Sequence, residues 1–110
     1  MSDQSSMLLE KIRELVDEPI GAESAPLLAR IEHTLTDGYA RALTLEAERL
    51  RLERRIGEVA TQLALGDRDR KAAEISALAT RLTDADGDLT QLRSMLQSLR
   101  RRAAVVRAAA

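Results

Sequence analysis

Residues 28–63 read LARIEHTLTDGYARALTLEAERLRLERRIGEVATQL, and residues 75–106 read ISALATRLTDADGDLTQLRSMLQSLRRRAAVV. In the first stretch a seven-residue repeat places Leu28, Ile31, Leu35, Gly38, Ala42, Leu45, Arg49, Leu52, Ile56, Val59 and Leu63 on one stripe of a helix. In the second the same repeat selects Ile75, Leu78, Leu82, Ala85, Leu89, Leu92, Leu96, Leu99, Ala103 and Val106. Apolar residues alternating three and four apart belong to a helix packed lengthwise on another. Folding the second stretch back on the first, with Val59 opposite Ile75, gives paired positions whose numbers sum to 134. The remaining layers keep that sum: Ile56 with Leu78, Leu52 with Leu82, Arg49 with Ala85, Leu45 with Leu89, Ala42 with Leu92, Gly38 with Leu96, Leu35 with Leu99, Ile31 with Ala103 and Leu28 with Val106. Small residues meet large ones at several of these layers, as a seam of constant width requires.

The expected fold is therefore all-α: a long antiparallel helical hairpin, coiled-coil-like, forming one domain over residues 1–110. The long helices are expected at about 25–65 and 68–107, each on the order of 60 Å long. Gly66 closes the first, and Asp67 or Asp69 caps the second. Ahead of them, Leu8, Ile12, Leu15 and Val16 share one face of a short helix at about 6–17. A helix that short is marginal alone and must dock. Pro19 and Gly21 end it, Ser24 is the expected N-cap of the next helix, and Pro26 fits its first turn.

Composition agrees. Apolar residues make up 45% and charged residues 32%, but aromatics only 1%, which suits long helices and argues against a thick aromatic core. The absence of cysteine removes disulfides, thiol nucleophiles and Cys-ligated metal. No basic-then-apolar leader and no bilayer-length apolar run is read, so a cytoplasmic chain without membrane attachment is expected. The net charge of −1 divides unevenly: residues 1–40 carry eight acids and three bases, and residues 76–110 carry three acids and six bases. An antiparallel hairpin places these thirds side by side, where their charges attract.

Candidate sites are few. Arg49 is the one charged residue in the seam, and the register flanks it with Glu46, Glu48, Asp86 and Asp88. That suggests an acidic collar around a buried guanidinium, locking the register. Asp84-Ala-Asp86-Gly87-Asp88 departs from a calcium loop, because Gly87 precedes the third acid and Met95 stands where a closing Glu belongs. His33 is the only histidine and reads as a solvated helix residue, so neither a metal nor a cofactor is expected. Nor is there a nucleophile–base set for catalysis.

Residues Leu45 to Ala60, with their arginines and Ile56-Gly57, resemble the Arg-bearing helix of all-helical chorismate mutases. The resemblance implies a small helical enzyme. It covers under a fifth of the chain, Ala60 stands where that family has a substrate-binding Lys, and the upstream Leu-Arg-x-x-Ile-Asp pattern is absent.

Two surfaces remain. Tyr39, Leu43, Leu50 and, on the other long helix, Met95 form an apolar flank outside the seam. The short helix is expected to cover its start near Tyr39 and Leu43, without reaching Leu50. The rest is expected to bind another chain, giving a homodimeric helical bundle. Arg100, Arg101, Arg102 and Arg107 form a basic cluster that could contact phosphate, the basis of an alternative nucleic-acid reading. The leading expectation is a non-enzymatic, self-associating interaction or scaffold protein with a protein partner.

Overall fold

A computed structural model describes residues 3–21 and 24–109. Three α-helices follow in order: α1 (Asp3–Asp17), α2 (Ser24–Thr61) and α3 (Arg68–Ala109), with a 3-10 turn at Leu63–Leu65 between the last two. The molecule is a rod, with Cα extents of 67 × 16 × 15 Å.

α2 and α3 form the antiparallel hairpin. Leu96 is the nearest neighbour of Gly38, as the sum of 134 requires: a Cβ on Gly38 would lie 2.2 Å from Leu96 Cδ2. Ile31, Ala42, Leu45, Leu52 and Val59 are buried from α2, and Leu78, Ala85, Leu89, Leu92, Leu96, Leu99, Ala103 and Val106 from α3. Cross-helix ion pairs border the seam on both sides, among them Glu32 with Arg107 and Glu74 with Arg55.

The turn is tighter than the expected helix to residue 65. α2 ends at Thr61, and Leu65 N–H donates to Gln62 O at 3.0 Å inside the 3-10 turn. Gly66 then takes φ 114°, a conformation that disfavours side chains, and Asp67 follows at φ 52°. The Asp67 carbonyl accepts the first α3 bond from Lys71 N–H at 2.9 Å. Lys71 Nζ reaches back to the Gln62 carbonyl at 2.6 Å, so a cation caps the exposed end of the preceding turn. At the other end, Ser24 is the first residue of α2 itself rather than the residue before it, and residues 22 and 23 lie outside the described residues. α1 starts at Asp3, earlier than expected.

α1 lies antiparallel to α2 and parallel to α3. Ser5 Oγ accepts from Arg41 Nε at 2.9 Å, and Glu18 makes a two-pronged pair with Arg30 (3.0 and 2.9 Å). The Glu18 carbonyl also accepts from Arg102. Leu9, Ile12 and Leu15 are buried, and Leu8, Val16 and Ile20 pack against the same core. This docking corrects the expectation that α1 would cover Tyr39 and Leu43, which stay 44% and 67% exposed. α1 occupies the opposite groove, over Leu27, Thr34 and the half-buried Met95. Its cover explains why Leu27 and Thr34 are fully buried although neither belongs to the two-helix seam.

Candidate functional site

The groove that α1 leaves open is the candidate site. Letter the seven-residue repeat a to g, with the seam residues at a and d. The two e columns then meet across one face of the hairpin, and the two g columns across the other. α1 fills the half of the g face nearer the chain termini. On the e face α2 contributes Glu32, Tyr39, Glu46, Glu53 and Ala60, opposite Arg107, Arg100, Arg93, Asp86 and Ala79 of α3.

These rungs are unequal. Arg107 Nη2 pairs with Glu32 Oε1 at 3.0 Å, and Arg93 pairs with Glu46. One rung brings two acids together, Glu53 and Asp86. Arg49 leaves the seam to bridge them, with Nη1 3.3 Å from Asp86 Oδ1 and Nε 3.9 Å from Glu53 Oε1. Between the two clean pairs lies the rung of Tyr39 and Arg100, and no ion pair among the described residues involves Arg100.

Outside the e columns run the b columns. On α2 these are Ala29, Thr36, Leu43, Leu50 and Gly57; on α3 they are Ser76, Thr83, Thr90, Gln97 and Ala104. All ten are exposed and none carries a charge. The c column on the far edge of α2 differs, with Arg30, Asp37, Thr44, Arg51 and Glu58. Leu43 and Leu50 (46% exposed) thus form the apolar middle of an uncharged rail, with Tyr39 of the e column beside them. Two adjoining depressions open there and share Tyr39, Gln97 and Arg100; Leu43 lines one, and Arg101 and Arg107 the other.

The other sequence candidates separate. Met95 lies on the g face, packed on the core beneath α1, and does not join Tyr39, Leu43 and Leu50. The four carboxylates do not ring Arg49. Glu46 is taken by Arg93, while Glu48 and Asp88 line a depression of the opposite groove with Arg41 and Arg81. The Arg49 side chain is 38% exposed, so its charge escapes the seam instead of being buried in it. Glu53, outside the expected collar, is its second partner. Of the arginine cluster, Arg102 is held by Glu18, Arg107 by Glu32, and Arg101 donates to Ser98 Oγ at 3.3 Å. His33 stands 3.5 Å from Asp37 on the surface. Elsewhere, the hydrogen bonds that Arg55 donates to Glu74 and then Glu58 raise its pKa above its ordinary value, and the bond from Arg30 to Glu18 does the same for Arg30.

Among the described residues no group of three His, Cys, Asp or Glu could hold a metal ion, and no helix is long and apolar enough to cross a membrane. The segment from Leu45 to Ala60 holds Arg55 in surface pairs with Glu74 and Glu58. No family model matches the chain, and neither a curated protein nor a solved structure matches it.

Proposed function

We propose that this chain is a non-enzymatic helical interaction protein that associates with itself through the open face of its hairpin. The supporting observation is the contrast between the two faces of one hairpin. One is covered by α1 in its half nearer the chain termini; the other exposes Leu43 and Leu50 in a column without charge, with Tyr39 beside them. Single exposed leucines are ordinary on a soluble protein, but apolar residues in register beside an uncharged rail suit a helical partner. Sedimentation equilibrium from about 1 to about 300 µM tests this, a range that covers weak to moderate self-affinity. The wild-type chain is expected to pass from monomer to dimer. Leu43→Glu/Leu50→Glu is expected to stay monomeric with unchanged helical circular dichroism, because both residues lie outside the core. A wild-type chain that remains monomeric throughout overturns the reading.

A second reading is phosphate binding, favoured by the depression that Arg100, Arg101 and Arg107 line together. It requires salt-sensitive retention on heparin that Arg100→Ala/Arg101→Ala/Arg102→Ala abolishes.

A further inference from the structure

The open face carries a charge imbalance that is antisymmetric about its own centre. The Tyr39–Arg100 rung has one unmatched positive charge. The Glu53–Asp86 rung, with Arg49 bridging, has one unmatched negative charge. Both lie seven residues from the neutral Glu46–Arg93 rung, one on each side. Residues 39 and 53 have their midpoint at 46, and residues 86 and 100 have theirs at 93. A single axis through the Glu46–Arg93 pair therefore exchanges the two rungs on both helices at once.

From this we propose that a second copy of the chain packs on the open face about a two-fold axis through Glu46–Arg93, perpendicular to the helices. The proposal rests on the self-association reading above and specifies its geometry. α2 lies on α2 and α3 on α3, both antiparallel, with the hairpin turns at opposite ends. Arg100 of each copy meets Asp86 of the other, and the Tyr39 hydroxyl donates to Glu53 of the other. Leu43 packs against Leu50 of the second copy, which places the two largest apolar residues of the rail together on either side of the axis.

The alternative two-fold, with its axis along the helices, stacks like levels. Arg100 would then meet the second copy's Arg100 level, and the acidic rung would meet an acidic rung. Juxtaposed like charges select against that arrangement. The size of the face also fits a second copy. The b columns from residue 29 to residue 57 span about 40 Å of helix, and two helices with side chains are about 20 Å wide. Their product is a footprint of about 800 Å² per copy, room enough for the share one partner contributes to a standard stable interface. A C2 contact needs one self-complementary patch, and this face supplies it.

Because the chain has no cysteine, a single introduced thiol reports one position. Thr90→Cys and Gln97→Cys are neutral b-column changes on α3 that leave Leu43 and Leu50 of α2 in place. Mixed and oxidised, the two variants are expected to form the 90–97 disulfide at least about fivefold faster than either homodisulfide, since exchange rates follow access. Arg100→Glu is expected to raise the dimer dissociation constant about tenfold by sedimentation, as two symmetric ion pairs become repulsions. Arg100→Glu/Asp86→Arg is expected to return it to within about threefold of wild type. A wild-type dimer that prefers the 90–90 or 97–97 disulfide, or that tolerates Arg100→Glu, overturns this geometry and leaves self-association standing. A chain that is monomeric at every concentration overturns both.

Discussion

Gly38 offers the sharpest test of the hairpin register. In an open helix interior, Gly→Ala gains about 1 kcal/mol, because alanine loses less backbone entropy on folding. At Gly38 the new methyl would lie 2.2 Å from Leu96 Cδ2 and 3.3 Å from Leu96 Cγ. Leu96 is buried, so it can yield only by leaving its rotamer or by separating the helices. Overpacking of that kind costs about 1–3 kcal/mol. Gly38→Ala is therefore expected to be neutral to destabilising by up to about 2 kcal/mol. Leu96→Ala alone leaves a cavity and is expected to cost about 2–5 kcal/mol. In that background every clashing atom is gone, so adding Gly38→Ala should stabilise by about 1 kcal/mol. The substitution changes sign with the residue opposite, and the double-mutant cycle should return a coupling of about 1–3 kcal/mol. Urea unfolding followed by the helical circular dichroism signal, with all four proteins at one concentration, measures it. Fixed concentration matters because association with a second copy would add apparent stability. If Gly38→Ala stabilises the wild-type chain by about 1 kcal/mol and the cycle is additive within about 0.5 kcal/mol, Leu96 does not face Gly38 and the register is wrong.

Two further substitutions probe the docking of α1. Ile12 is fully buried between α1 and the hairpin, so Ile12→Ala is expected to cost about 3 kcal/mol in urea unfolding; a loss below about 0.5 kcal/mol would place α1 elsewhere. The Thr34 hydroxyl is buried under α1 without a hydrogen-bond partner, so Thr34→Val, which keeps the shape, is expected to raise stability by about 1 kcal/mol in the same assay. A destabilised Thr34→Val would mean that the hydroxyl has a partner.

The hairpin was legible because its signal is periodic. A seven-residue repeat fixes which residues face the seam, and the chemistry of the facing residues fixes how the two repeats slide. Gly38 against Leu96 is the clearest case, since the smallest residue of one stripe meets a large one of the other. The side of the hairpin that α1 takes was not legible from the repeat, because both grooves run along the same two helices. The distinguishing signal lies in the flanking columns. The e face would have buried the Glu32–Arg107 and Glu46–Arg93 pairs beneath the Leu9, Ile12 and Leu15 stripe, and desolvating even paired charges is costly. The g face offers Leu27, Thr34 and Met95 instead, and the arginines beside them, Arg41 and Arg102, find acceptors in Ser5 Oγ and the Glu18 carbonyl. Thr34 hides that preference, since a lone threonine on a helix reads as solvent-facing. Arg49 misleads in the opposite sense. Its seam position suggests burial, but its long apolar stem lets the guanidinium reach Asp86 and Glu53 at the rim.

The unequal ends of the rod bear on why a second copy would suit it. α1 has 15 residues, so it covers about 22 Å of a hairpin whose Cα atoms extend 67 Å. The half nearer the chain termini is a three-helix bundle whose core runs from Leu9 and Ile12 through Leu99 to Val106. The half nearer the turn has only two helices, and its separate cluster buries Leu52, Val59, Leu78 and Ala85. The two clusters part at the layer of Arg49, where the seam gives up an apolar residue. A two-helix ribbon with so few buried side chains holds less stability than the bundle beside it, since opening free energy follows the apolar contacts a segment makes. In the proposed antiparallel dimer, each thin half lies along the thick half of the other copy. The charge antisymmetry that sets the orientation thus also places the surface of each chain's best-packed region against its least-packed one. The parallel alternative would set thin half on thin half, leaving both turn ends dependent on the same small cores.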